Sequence, residues 1–194
     1  MTKWYRLGLA LAALCLLAAC SREPFMNTDV SGAAYGKDFR LTDHNGRPRT
    51  LADFKGKVVL LFFGYTHCPD VCPTTLAEAA AVMQELGAQA DRVQVLFVTV
   101  DPVRDTPILL ARYVPSFHPT FLGLHGDEQQ IAETARDFKV FSQKTLGASA
   151  ENYLIDHSAG TFIFDPQGRL RLYHGYGKGA ASLVHDIKLL LDGA

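Results

Sequence analysis

The sequence predicts one α/β domain, a parallel βαβ unit followed by an antiparallel hairpin. Three observations carry that expectation. Val58 to Phe63 and Val93 to Val100 are continuous apolar runs, the pattern of strands buried on both faces. Between them Leu76, Ala79, Ala80, Met83 and Leu86 recur at helical spacing, and Gly87 stops the run. Late in the chain, Thr161 to Phe164 and Arg169 to Tyr173 flank the turn Asp165-Pro166-Gln167-Gly168.

The other elements follow in order. Phe39 to Asp43, the turn His44-Asn45-Gly46-Arg47 and a return toward Leu51 read as a short N-terminal β-hairpin. Asp105-Thr106-Pro107 is a cap with a proline at the first helical position, opening a helix to about Tyr113. Phe121 to Leu124 reads as a brief strand, and Asp127 with Gln130 as a capping box for a helix to Phe138. Ser142 to Asn152 has no period and reads as a loop. Ala180 to Leu191 is an amphipathic closing helix ended by Asp192-Gly193. No internal repeat or second domain is visible. Strand, cysteine loop, helix, strand, helix, hairpin and final helix is the thioredoxin order, so the expected fold is thioredoxin-like with an N-terminal β-hairpin extension over residues 35–194.

The first residues bear on location. Lys3 and Arg6 form a basic n-region, and Leu7 to Ala19 is an apolar run short for a bilayer span. It ends in Leu17-Ala18-Ala19-Cys20, which resembles the lipobox of bacterial lipoproteins. That likeness makes residues 1–19 a signal peptide, Cys20 the lipidation site, and residues 20–34 a lipidated terminus and tether. An ordinary cleaved signal or a short anchor fits the same run. All three readings put the domain outside the cytoplasm, in a bacterial cell envelope with the domain facing the periplasm or exterior.

Cleavage leaves about 175 residues, enough for one domain with a proper core. The formal charge of −1 falls to about −3 once Lys3 and Arg6 are gone, so the chain carries no basic footprint for nucleic acid. Of four cysteines, Cys15 leaves with the signal and Cys20 carries lipid. Cys68 and Cys72 remain, in a compartment where disulfides persist, with no structural disulfide framework open to them.

Those two cysteines lie in Gly64-Tyr65-Thr66-His67-Cys68-Pro69-Asp70-Val71-Cys72-Pro73, where the first buried strand hands over to the helix. A helix opened by Pro73 would direct its positive end at Cys72 and, more weakly, Cys68, favouring thiolate. Four residues rise about 6 Å in a helix, within the Cα separation a disulfide tolerates. The same spacing lets both sulfurs grip one soft metal ion, so redox exchange and metal capture both remain open.

His157, in Asn152-Tyr153-Leu154-Ile155-Asp156-His157-Ser158, tips the balance toward metal. It precedes the hairpin strand that faces the thiol loop in a thioredoxin layout. Thioredoxins place a cis-proline there, and this chain has no proline between Ala150 and Thr161. Two thiolates with an imidazole suit copper, whereas zinc normally takes a closed four-ligand shell. A loop histidine bonded to backbone is the plainer alternative.

The cysteine run, Val98-Thr99-Val100-Asp101-Pro102-Val103-Arg104-Asp105-Thr106-Pro107 and Asp156-His157-Ser158 resemble the three signature blocks of the Sco/SenC family of membrane-tethered, thioredoxin-fold copper proteins. The likeness runs from about Tyr35 to the end of the chain. It implies copper ligation by Cys68, Cys72 and His157, as Cu(I) or Cu(II). It further implies service in assembling the copper A centre of cytochrome c oxidase, with that oxidase subunit as partner. Other periplasmic copper chaperones and thiol reductants are further expected partners. The alternative is a thiol-disulfide oxidoreductase acting on cysteines of the oxidase subunit or another exported protein. A thiol peroxidase fits poorly, because neither cysteine has threonine and arginine activators nearby in sequence.

Further candidates surround this set. Asp101 is expected as an outer hydrogen-bond acceptor or weak axial ligand, or else a turn residue, and Asp70 as a tuner of thiolate charge or an exposed turn residue. His67 adjoins a ligand but sits where a side chain often points away. Asp156 is a potential orienter of His157. Tyr153 and Phe141 read as a docking face or as packing. His44, His118, His125, His174 and His185 carry no ligand pattern.

Overall fold

The computed structural model describes residues 23–149 and 152–194. The signal segment 1–19, Cys20 and the start of the tether lie outside them. In chain order the elements are β1 (Thr28–Asp29), β2 (Leu41–Asp43), β3 (Pro48–Arg49), β4 (Val58–Gly64), α1 (Val71–Leu86), β5 (Val93–Thr99), α2 (Pro107–Tyr113), β6 (Leu122–His125), α3 (Glu128–Asp137), β7 (Ser142–Ser149), β8 (Asn152–His157), β9 (Thr161–Phe164), β10 (Leu170–His174) and α4 (Ala180–Leu191). Among the described residues no helix is long and apolar enough to cross a membrane.

Eight strands form one sheet in the order β1-β10-β9-β4-β5-β6-β2-β3. β4 and β5 run parallel in register from Val58 opposite Val93 to Gly64 opposite Thr99, and β5 continues parallel to β6. Every residue of β4 and β5 is buried, which is why both read as mainly apolar runs; the buried Gln94 of β5 donates to the Thr120 carbonyl (2.7 Å). β9 then closes on β4 antiparallel, with Thr161 opposite Phe62. This is the expected thioredoxin-like arrangement, and its N-terminal hairpin β2–β3 attaches at the β6 edge.

Local chemistry sets the helix ends. Thr106 Oγ1 accepts the Leu109 N–H (3.3 Å), with Pro107 opening α2. Asp127 and Gln130 exchange bonds of 2.7 and 2.9 Å at the start of α3. Gly87, at φ 55°, ends α1 in a conformation that a β-carbon would oppose.

Three expectations need correction. The first helix begins at Val71, not Pro73, so Cys72 lies inside its first turn. Pro73 is tolerated because N–H groups of that turn have no helical acceptor. Within the segment read as a loop, Ser142 to Ser149 is a strand: β7 pairs with β8 as a separate two-stranded ribbon. Ser142 to Thr145 are all exposed, so no alternation of buried and exposed positions was imprinted there.

The stretch read as tether is, in part, structured. β1 adds to the sheet edge beside β10, with Thr28 opposite Tyr173. Asp186, fully buried on α4, accepts the Met26 N–H (2.9 Å), the Asn27 N–H (2.8 Å) and the Asn27 side-chain amide (2.9 Å). Asp186→Ala leaves the Met26 and Asn27 N–H groups without that acceptor, the Asn27 amide keeping only the Ser182 carbonyl (3.1 Å). It is expected to cost about 2–3 kcal/mol in urea unfolding and to speed amide exchange at Val30, whose N–H bonds the Arg171 carbonyl.

Candidate metal centre

The end of the parallel strands is shaped by one missing side chain. A β-carbon on Gly64 would stand 2.7 Å from Cys72 Sγ and 2.8 Å from Phe97 Cε2, closer than atoms pack. The bare glycine lets the first turn of α1 settle onto β4, burying the Cys72 sulfur. Between them Tyr65 to Asp70 loops over the strand ends, with the Cys68 N–H bonded to the Tyr65 carbonyl (3.2 Å). Cys68 is half-buried, and its sulfur accepts the Cys72 N–H at 3.4 Å. Both cysteines are free thiols.

His157 arrives from the end of β8. Its Nε2 lies 3.5 Å from Cys72 Sγ, and the two sulfurs and a ring nitrogen all fall within 4.8 Å of one another. The other nitrogen, Nδ1, donates to the Ser158 carbonyl (3.0 Å), which turns the lone pair of Nε2 toward the sulfurs. The Tyr65 ring meets the imidazole edge-on at 5.9 Å.

The electrostatics differ from the helix-dipole expectation. Burial, more than the neighbouring sulfur, pushes the Cys72 thiol well above its ordinary range. The first turn of α1 alone therefore does not yield a thiolate there. Burial also lowers the basicity of His157, against a smaller opposing effect of its bond to Ser158, so the ring stands neutral with a free donor nitrogen. A cation among these atoms compensates the charge that burial disfavours.

The donor set fits a soft metal. An ion about 2.0–2.3 Å from each donor in a trigonal arrangement separates the donors by about 4 Å, close to the spacing here. Cys68, Cys72 and His157 are the one cluster of three metal-ligating side chains among the described residues.

The remaining candidates fall elsewhere. Asp101 is buried, but Tyr153 Oη donates to its Oδ1 (2.7 Å) and Arg104 Nε to its Oδ2. Both oxygens thus accept hydrogen bonds, and the bond from Tyr153 ties Asp101 to the ribbon. Asp70 is an exposed residue at the start of α1, bonded weakly by Thr74 (3.4 Å). His67 projects outward, its Nδ1 on Thr66 Oγ1 at 3.1 Å. Asp156 accepts from Thr145 (3.0 Å), and the Ser158 carbonyl fills the orienting role expected of it.

Tyr153 is half-buried against Arg104, while Phe141 is 58% exposed and not a packing residue. His44 accepts the Gly123 N–H, His118 bonds Thr120, His174 is buried beside Asn27, His185 bonds Asp186, and His125 is half-buried. Sequence reasoning missed Gly64, Tyr65 and Arg104. A glycine closing an otherwise apolar strand was the available signal for close backbone approach.

A thioredoxin-like core on which two free sulfurs and a neutral imidazole converge defines a thioredoxin-fold protein with a soft-metal centre. Residues 27–192 match the SCO1/SenC family, and the chain belongs to it. It is 42% identical over 159 residues to the mitochondrial SCO2 homolog of Mus musculus, covering 80% of this chain and 62% of that protein. The chain thus spans about three-fifths of the length of the mammalian relatives it matches. Among solved structures, ScoI of Bradyrhizobium japonicum with copper bound is 40% identical, with a TM-score of 0.74 over 80% of this chain and 98% of that one. Apo Sco1 from Thermus thermophilus is 43% identical, with a TM-score of 0.74 over 86% and 99%.

Gly64→Ala tests the close approach. The added methyl group is expected to cost about 1–3 kcal/mol in denaturant unfolding and to increase the reaction rate of Cys72 with a thiol reagent. Unchanged stability and unchanged thiol reactivity would show that the strand end has room to spare.

Proposed function

We propose that this chain is an extracytoplasmic copper metallochaperone, held at the membrane through lipidated Cys20, that serves assembly of the copper A centre of cytochrome c oxidase. Convergence of Cys68 Sγ, Cys72 Sγ and His157 Nε2 within 4.8 Å carries the reading. The copper-bound relative from Bradyrhizobium supports copper as cargo, and the Sco/SenC resemblance supports the oxidase as recipient. The run Leu17-Ala18-Ala19-Cys20 supports the lipid anchor and a periplasmic or exterior placement.

Cys68, Cys72 and His157 hold the copper ion, with Ser158 fixing the ring. Copper supplies a soft acceptor that thiolate and imidazole donors bind in preference to hard cations. Cys72, buried, anchors the cargo, while half-buried Cys68 and His157 present the side open to ligand exchange. Oxidation of the two thiols to a disulfide releases two electrons and two protons and withdraws both sulfurs as donors, so redox state gates loading.

Addition of Cu(II) to the reduced protein is expected to give strong sulfur-to-copper charge-transfer absorption. His157→Ala should weaken copper affinity by about 100-fold or more, at or beyond the upper end of what loss of an outer partner brings, while disulfide formation stays intact. Unchanged affinity in that variant removes His157 from the site. A second reading, thiol-disulfide oxidoreductase, is favoured by two adjacent free thiols. It prevails if turnover on a disulfide substrate survives His157→Ala and copper binds no tighter than micromolar.

A further inference from the structure

The cysteines and the histidine are held by different means. Cys68 and Cys72 sit on the loop and helix that continue β4, inside the main sheet's framework. His157 sits on a ribbon whose strands pair only with each other. An isolated two-stranded hairpin is marginal in water, so the ribbon's place over the sulfurs depends on side chains.

Ile155 is buried, and its N–H bonds the Tyr65 hydroxyl at 3.2 Å. The larger attachment is a closed ring of three residues at Tyr153. Arg104, on the loop between β5 and α2, donates through Nε to Asp101 and through Nη1 to the Tyr153 carbonyl (3.0 Å). Its guanidinium also lies 3.5 Å from the centroid of the Tyr153 ring and 5.7 Å from that of Tyr65. The Tyr153 hydroxyl completes the ring on Asp101 Oδ1 at 2.7 Å.

The root of this ring is tied to the cysteine loop. The Asp101 N–H bonds Thr99 Oγ1 (2.9 Å), and Thr99 donates to Asp105 (2.6 Å). Asp105 also takes the Thr66 hydroxyl at 2.6 Å, two residues before Cys68. One continuous set of bonds, buried at Thr99 and part-buried at either end, therefore runs from the loop carrying the sulfurs to the strand carrying the imidazole.

We infer that Arg104 and Tyr153 are positioning residues of the metal centre, a clamp that fixes the β8 strand so that His157 Nε2 stays over the Cys72 sulfur. Neither side chain need touch the metal. Arg104 supplies a planar fork that grips a carboxylate, a carbonyl and an aromatic face together, which a lysine does not reproduce. The metal part of this inference rests on the proposed copper function; the fastening of the ribbon does not.

The test uses the full chain with Arg104→Ala, Arg104→Lys and the milder Tyr153→Phe. In the reduced, copper-free protein, amide exchange at Ile155 should accelerate at least about tenfold in Arg104→Ala, and less in the other two, while Val100 on the core keeps its protection. Copper affinity should fall about 10–100-fold with a shifted charge-transfer band, while the reduction potential of the Cys68–Cys72 pair stays at the wild-type value. Unchanged exchange at Ile155 in folded variants would overturn the clamp. Accelerated exchange with unaltered copper affinity and spectrum would overturn the positioning role. So would a reduction potential that moves in step with affinity, since the whole site would then have loosened. A wild-type chain that takes up no copper would remove the proposed function and the metal role with it, leaving only the exchange result.

Discussion

The site depends on the contact between a bare glycine and a buried sulfur. Because Gly64 carries no side chain, the first turn of α1 lies against the ends of β4 and β5. That contact decides the chemistry as well as the packing. A sulfur without water around it resists ionising, and an imidazole in the same place resists protonation. Burial thus disfavours the charged forms of Cys72 and His157 alike. Ionising the Cys72 thiol with no counter-charge is costly there. A bound soft cation removes that cost, so the groups that burial keeps uncharged become a receptive donor set.

Two kinds of support meet at this point. The sulfurs inherit the stiffness of a parallel ladder buried on both faces, where displacement of one residue disturbs a whole register. The imidazole inherits the placement of a ribbon anchored through side chains. Asp105 stands between the two. Its carboxylate accepts the Thr66 N–H, the Thr66 hydroxyl and the Thr99 hydroxyl. Burial raises its pKa, and these donors oppose that effect. A buried carboxylate with several donors is a fixed point, so the cysteine loop and the end of β5 move as one body.

Much of this was legible in the sequence, and the parts that were not share a cause. β4, β5 and the capped helices α2 and α3 each leave a local mark: a mainly apolar run, or a cap within three residues of its partner. Cys68 and Cys72 were legible because they are close in sequence, and His157 because three ordered blocks carry a family likeness. The ribbon left no mark, since Ser142 to Thr145 face solvent whichever way they point. The docking of Asn27 on Asp186 joins positions 159 residues apart, and the Arg104 bond to Tyr153 spans 49. Such pairings exist only after folding. Asp101 was legible as a carboxylate beside the loop that accepts hydrogen bonds, but its donors were not, because Tyr153 reaches it from the ribbon only after folding.

Burial also makes the three donors unequal, which bears on how cargo enters and leaves. Cys72 Sγ is enclosed by β4, Phe97 and α1, with Cys68 Sγ and His157 Nε2 as its neighbouring donors. Cys68 and His157 are half-buried and lie toward solvent. Under the proposed function, stepwise exchange would have a direction: the outer sulfur and the imidazole are the donors a recipient displaces first, and the enclosed sulfur is released last. The imidazole is also the donor on the separately mounted ribbon. A shift of β8 opens one coordination position without disturbing β4 or β5, whereas moving the Cys72 sulfur would mean lifting α1 from the sheet. The division of the site between a rigid ladder and a clamped ribbon thus puts the separately mounted donor, with half-buried Cys68, on the side nearer solvent.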